Sequence, residues 1–252
     1  MDEEKRISKT DYIYGMHPVM EAIKAQKTID KVLVQSDLKG PNITELRRLL
    51  KDHKISSQNL PLGRLNHLYK KNHQGVVALL SPIEFQPYEE VLNKVYEEGR
   101  TPLFLILDRV SDVGNFGAIC RSAECLGVDH IIIPVKGSAQ INDEAIKRSS
   151  GALLNISVSR ERDLAEVCQK LAASGLQLIG CSEKGEKNIY EVKYELPLAI
   201  VMGSERDGIN STIVKELNDM VQIPMSGKTD SLNVAASTAI ILSEISRQRG
   251  GF

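Results

Sequence analysis

The chain has 252 residues, of which 42 % are hydrophobic, enough for one large domain or two unequal ones with real cores and too much for disorder to be the default. No run approaches the roughly 20 consecutive apolar residues of a bilayer span, and the opening Met1-Asp2-Glu3-Glu4-Lys5-Arg6 lacks the apolar core of a signal peptide, so a cytoplasmic location is expected. The net charge of −1 conceals an asymmetry: residues 1–82 hold 14 Lys and Arg against 9 Asp and Glu, residues 83–252 hold 18 against 24, and His17, His53, His67 and His73 all lie in the first part. A basic, histidine-containing segment ahead of an acidic remainder suggests two parts with different tasks, the first either meeting a polyanion or presenting an ordinary solvated surface.

In chain order, β-rich runs at 12–14, 32–34 and 76–80 alternate with helical patterns at 18–25, 43–54 and 62–70, which makes residues 1–82 a small α/β domain. The acidic, proline-flanked stretch 83–101 reads as a linker carrying a helix near 89–98. Residues 102–252 form the second domain. There, near-continuous apolar runs at 103–107, 131–134, 156–158, 176–179, 198–202 and 221–223 alternate with helices at 118–126, 164–173 and 232–247, as in a mostly parallel sheet covered on both faces.

Several chemistries are excluded. No two of the 18 glycines stand two apart, so the dinucleotide fingerprint is absent; no glycine pair spaced by five is followed by Lys, which removes the Walker A loop. Cys120, Cys125, Cys168 and Cys181 form no C-x-x-C pair and have no histidine at ligand spacing, so they are expected as reduced thiols at apolar positions and no metal is expected. A nucleotide-like ligand must be held by another device.

Three segments offer one. Leu107-Asp108-Arg109-Val110-Ser111-Asp112-Val113-Gly114-Asn115-Phe116-Gly117 leads from a buried strand through a turn to a helix bearing Asn115 and Arg121. Leu198-Ala199-Ile200-Val201-Met202 runs into Gly203-Ser204-Glu205-Arg206-Asp207-Gly208, setting a carboxylate between two glycines. Val221-Gln222-Ile223-Pro224-Met225 is followed by Ser231-Leu232-Asn233 and the small residues Ala235, Ala236 and Ser237. In an open α/β sheet, polar residues at the carboxyl ends of strands are placed to bind ligands, although capping, turn formation and tight helix packing would ask for several of the same residues.

Together the three segments resemble the signature motifs of the SpoU/TrmH family of RNA ribose 2′-O-methyltransferases in the SPOUT superfamily, and Tyr12-Ile13-Tyr14-Gly15-Met16-His17-Pro18 resembles the start of the L30e-like substrate-binding domain of its RlmB-like 23S rRNA guanosine branch. The resemblance implies a parallel sheet with a C-terminal deep trefoil knot, an arrangement no periodicity would suggest. It implies S-adenosylmethionine as cofactor, held by Gly203, Gly208, Ile223, Pro224, Met225 and Leu232. Asn115, Arg121, Glu205, Ser231 and Asn233 match the family's polar positions, and a homodimer is implied. A charged guanidinium has no acceptor lone pair, so Arg121 is read as a clamp on substrate phosphate rather than as the base. Arg64, Lys70, Lys71 and His73 are the expected RNA phosphate contacts, with 23S rRNA as the partner, tRNA as its rival and no membrane. Many relatives carry proline where this chain has Val113 and a second glycine where it has Arg206. The same fold could also serve a resistance methyltransferase or a non-catalytic RNA binder.

Overall fold

The computed structural model describes residues 12–229 and 231–250. The opening residues 1–6, read above for want of a signal core, and Asp230 of the third segment lie outside them. The chain divides into two compact units at Ile83/Glu84.

In the first unit the elements are β1 (Tyr12–Tyr14), α1 (Met16–Lys24), β2 (Ile29–Gln35), α2 (Pro41–Asp52), β3 (Ser56–Leu60), α3 (Leu62–Leu68) and β4 (Val76–Leu80). The sheet order is β1-β4-β2-β3, with β3 parallel to β2 and the other pairings antiparallel. One face packs Val32, Val34, Val76 and Ala78 against Val19, Ile23, Leu46 and Leu50 of α1 and α2. The opposite face packs Leu33, Val77 and Leu79 against Leu65 of α3. Strand β3 was not expected, because Ser-Ser-Gln-Asn-Leu has no apolar alternation; as an edge strand it buries only Ser56 and Leu60.

The second unit contains α4 (Tyr88–Glu97), β5 (Leu103–Leu107), α5 (Val113–Cys125), β6 (His130–Pro134), α6 (Asp143–Arg148), β7 (Ser157–Glu161), α7 (Leu164–Ala173), β8 (Gln177–Cys181), β9 (Lys187–Asn188), β10 (Leu198–Met202), α8 (Ser211–Val214), β11 (Asp219–Gln222) and α9 (Val234–Gln248). Its seven strands are all parallel in the order β7-β6-β5-β10-β8-β11-β9. All five residues of β5, β6 and β10 are buried, as two-sided cover requires. The stretch expected as a linker is not a free connector. Tyr88 and Leu92 of α4 join Phe104, Ile106, Leu171 and Val201 in one core, because the helix has an apolar face that the sheet covers. On the sheet's other side α5 packs along α9.

The second unit is thus a parallel sheet with helices on both faces, ending in α9. Its final turn is tied down by polar contacts. Arg249 donates to the carbonyls of Tyr194 (2.8 Å), Leu196 (2.6 Å), Thr101 (3.0 Å) and Pro102 (3.2 Å), and Gln248 donates to Val192 O and accepts from Tyr194 N, both at 3.0 Å. Those contacts hold the end of α9 against segment 192–196 and the start of β5, and burial lowers the Arg249 pKa from its usual value.

His130 is fully buried between β6 and β7. Ser157 Oγ donates to Asp129 O, so it accepts from His130 Nδ1 at 2.6 Å, and Nε2 then accepts from Ser159 Oγ at 2.9 Å. Burial pushes its pKa down to about 3 from 6.5. The unfolded chain therefore binds one more proton than the folded one between those values. Stability conferred by the neutral ring is complete above pH 6.5 and falls on acidification by about 1.4 kcal/mol per pH unit. Urea unfolding at pH 6.5 and pH 5 should show this slope in the wild type and its loss in His130→Asn; equal slopes in the two proteins would refute the assignment.

Candidate functional site

The parallel registers place Leu107, Met202 and Cys181 side by side, with Val221 next to Cys181, so the loops leaving β5, β10, β8 and β11 emerge at one end of the sheet. A cleft of about 240 Å³ opens there. The end of β10 and the turn after it contribute Met202, Gly203, Ser204, Glu205 and Gly208; the segment after β11 contributes Ile223 and Met225; Ser231, Leu232, Asn233, Val234 and Ser237 come from the approach to α9 and its first turn. Every residue expected in the cofactor pocket lines the cleft except Pro224, which is exposed between two that do. Sequence reasoning missed the third wall, Cys181, Ser182 and Glu183; their position at the end of an apolar strand was the available signal. Burial holds the Cys181 thiol up at about 12, so it contributes bulk rather than a nucleophile. Of the other cysteines, Cys120 and Cys168 are buried, whereas Cys125 is exposed, contrary to its expected apolar position, because it ends α5 on the solvent side.

At the mouth of the cleft three side chains separated by up to 118 residues form a closed network. Glu205 Oε1 accepts from Asn115 Nδ2 at 2.8 Å and from Asn233 Nδ2 at 3.0 Å, while Asn233 Nδ2 also reaches Asn115 Oδ1 at 2.9 Å. Local structure aims each of them. Helix α5 starts at Val113, earlier than its apolar pattern indicated, because Asp112 caps it by accepting from Asn115 N at 2.7 Å. Asn115 therefore sits in the first turn. Val113 occupies the first helical position, where proline is favoured and where the cap substitutes for it. Asn233 precedes α9 rather than lying within it: its Oδ1 accepts from Ala235 N and Ala236 N as the N-cap, which leaves its Nδ2 to point at Glu205.

Glu205 is carried on a closed turn in which Ser204 and Gly208 exchange backbone hydrogen bonds at 3.2 and 3.0 Å. A pair that no sequence argument assigned holds this turn. Buried Asp108, just beyond β5, accepts from Asn210 N at 2.7 Å and binds Arg109 through both oxygens at 2.9 Å. Arg109 in turn donates to Gly208 O at 3.1 Å and pairs with Asp207 at 3.3 Å. Its φ of +59° folds the side chain back onto the turn, a conformation seldom taken by residues other than glycine. The hydrogen bonds that Arg109 donates to Asp108 raise its pKa. Arg109→Ala should weaken binding of S-adenosylmethionine about tenfold by freeing the turn, with Arg109→Lys intermediate; calorimetry with an affinity within twofold of wild type would refute the clamp.

Arg121 is not brought to the cleft. It lies further along α5, exposed and without a hydrogen bond or ion pair among the described residues. Ser231 lines the cleft and is exposed. In the first unit Arg64, Lys70 and Lys71 are exposed, but His73 is buried and is not a phosphate contact. Its Nδ1 accepts from Gly75 N at 3.0 Å, which leaves Nε2 to donate to Asn66 Oδ1 at 2.9 Å, so both ring nitrogens are used inside the fold.

The sequence model of the SpoU rRNA Methylase family matches residues 102–243, and that of the RNA 2′-O ribose methyltransferase substrate-binding domain matches residues 12–86. The chain belongs to the SpoU methylase family. It is an S-adenosylmethionine-dependent RNA methyltransferase. A Staphylococcus aureus protein named as a TrmH family tRNA/rRNA methyltransferase is 33 % identical over 237 residues, covering 94 % of this chain and 96 % of its own. The SpoU methyltransferase AviRb of Streptomyces viridochromogenes, crystallised with AdoMet, superposes with a TM-score of 0.61 at 23 % identity, over 100 % of this chain and 95 % of its own. The TrmH/SpoU tRNA modifying enzyme of A. aeolicus gives 0.56 at 28 %, over 65 % and 84 %.

The cleft of this SpoU-family chain suits that cofactor. Met202, Ile223, Met225 and Val234 offer an apolar wall for a purine, and the main chain at Gly203, Ile223 and Leu232 offers hydrogen-bonding groups without a G-x-G turn. Carboxylates at Glu183 and Glu205 suit a ligand bearing a sulfonium and an ammonium. Gly203 lets its backbone pack directly on that of Gly208, since a Cβ there would lie 2.2 Å from Gly208 C.

Proposed function

We propose that the protein methylates a ribose 2′-hydroxyl in RNA, with a 23S rRNA guanosine as substrate. The observation that carries this reading is the Asn115–Glu205–Asn233 network at the mouth of the cleft. When bound, S-adenosylmethionine supplies an electrophilic methyl group. The chain's own residues then have to orient a ribose and ease loss of its proton. Glu205 and Asn233 shape the ribose and cofactor site, Asn115 locks the Glu205 carboxylate, and Ser231 adds a hydroxyl at the rim. Arg121, without a hydrogen bond or ion pair among the described residues, binds substrate phosphate and offsets the developing alkoxide charge. The protein works as a homodimer in the cytoplasm; no described helix is long and apolar enough to cross a membrane. The basic first unit, including Arg64, Lys70 and Lys71, captures the RNA.

Ribose-methylation mapping across rRNA and tRNA from cells with and without this gene tests the reading. A single 23S rRNA guanosine losing its 2′-O-methyl group is the expected result. A lost site in tRNA would move the assignment to the other branch, and base methylation in place of ribose methylation would overturn it.

A further inference from the structure

The α3-facing side of the first unit's sheet ends in an aromatic cluster. Tyr12 and Tyr14 alternate onto that face opposite Leu79 and Val77, and Tyr69 follows α3. Ring centroids are 5.3 Å apart for Tyr12 and Tyr69, and 6.2 Å apart for Tyr12 with Tyr14 and for Tyr14 with Tyr69. All three are half-buried on Leu33, Leu60, Leu65, Val77 and Leu79. The Lys71 ammonium lies 5.1 Å over the Tyr14 ring.

The stretch that supplies Tyr69 and its flanks carries charge of one sign. Residues 53–82 contain no Asp or Glu, yet they carry Lys54, Arg64, Lys70 and Lys71. The loop bearing the two adjacent lysines is built rather than slack. Buried His73 bridges Asn66 and Gly75, and Gly75 has φ +79°, where a Cβ would lie only 2.6 Å from Gln35 Oε1. The residue first read as a phosphate contact is thus the strut beneath the lysines that could make one.

We infer that Tyr12, Tyr14 and Tyr69, rimmed by Lys70, Lys71 and Arg64, form a stacking surface for unpaired nucleobases of a looped RNA. The inference rests on the RNA-substrate reading and adds to it the class of RNA held: single-stranded loop rather than continuous duplex. Aromatic faces accept any base, while ammonium groups follow the backbone, the combination that distinguishes single-strand binding from contact with a duplex through charge alone. Lys71 is placed to trade its ring contact for a phosphate as a base arrives.

The test uses the full chain, a hairpin with an adenine loop, and a blunt duplex with the same number of phosphates. Tyr14→Leu and Tyr69→Leu keep apolar packing but remove the ring; they should weaken hairpin binding about tenfold, leave duplex binding within twofold, and leave S-adenosylmethionine affinity unchanged. Tyr14→Phe and Tyr69→Phe should restore hairpin binding. On the unaltered protein, ultraviolet cross-links to the hairpin should map to the peptides holding Tyr12, Tyr14 or Tyr69, a readout independent of whether the leucine variants fold. Unchanged hairpin affinity, equal weakening on hairpin and duplex, or cross-links confined to the second unit would overturn the surface while leaving methyl transfer to RNA intact. Failure of the intact protein to bind or methylate any RNA would overturn both readings.

Discussion

Glu205→Ala should lower the single-turnover rate of methyl transfer at least a hundredfold while leaving the melting temperature within about 2 °C of wild type. The carboxylate is an acceptor shared by two amides, from Asn115 and Asn233. Without it the two amide NH2 groups keep only the 2.9 Å bond from Asn233 Nδ2 to Asn115 Oδ1, and the rim of the ribose site is no longer fixed. Loss of one preorganised polar group in such a site costs about 10²- to 10³-fold in rate. Stability should change little, because Glu205 is exposed and Asn233 still caps α9 through its Oδ1. Glu205→Gln should be intermediate: it retains one acceptor oxygen but loses the charge. Labelled methyl transfer under single-turnover conditions, with a thermal melt on the same samples, checks the pair of expectations. A rate within threefold of wild type for the alanine variant would remove Glu205 from the site.

The second large effect is expected at Gly203. An added Cβ would lie 2.2 Å from Gly208 C, 2.4 Å from Ile209 N and 2.6 Å from Gly208 O, all backbone atoms that no rotamer change can move. Gly203→Ala must therefore open the turn carrying Glu205, displacing the contacts of Arg109 and Asp108 with Gly208 and Asn210. Calorimetry should show S-adenosylmethionine binding weakened at least a hundredfold, and overpacking should cost about 1–3 kcal/mol of stability. Gly208→Ala in the same turn is the control. Its Cβ would meet nothing within 4 Å, but its φ is +65°, so the cost is backbone strain of about 1–2 kcal/mol and a smaller loss of affinity. If the two variants bound the cofactor equally well, close approach of the backbone would not be what Gly203 provides.

These two residues, like Asn115 and Asn233, could be singled out in the sequence because a carboxylate between glycines and an asparagine in the opening turn of a helix are local patterns, although Asn233 proved to cap its helix rather than lie within it. The Asp108–Arg109 clamp was not. Its residues stand in the quoted strand-to-helix segment, but their partners are 98 to 102 residues away, and nothing local marks Arg109 as taking a positive φ. His73 was misread for a related reason: histidine in a basic stretch is equally compatible with an exposed cation and a buried strut, and only the positions of Asn66 and Gly75 decide. The helix in 83–101 was anticipated, but whether its apolar face met the second core could not be read from a pattern consistent with either outcome.

The sequence by itself determined the alternation of elements, the strands buried on both faces, the absence of a glycine-rich nucleotide loop and the residue types able to replace one. Those properties follow from periodicity and side-chain chemistry, which act over a few residues. Tertiary structure alone decided which strand ends lie side by side, and hence that Asn115, Glu205 and Asn233 share one hydrogen-bonded network while Arg121 stands apart from it. A hydrogen bond is fixed by distance and direction over about 3 Å, and across a hundred residues of chain only the registry of a packed sheet sets those quantities.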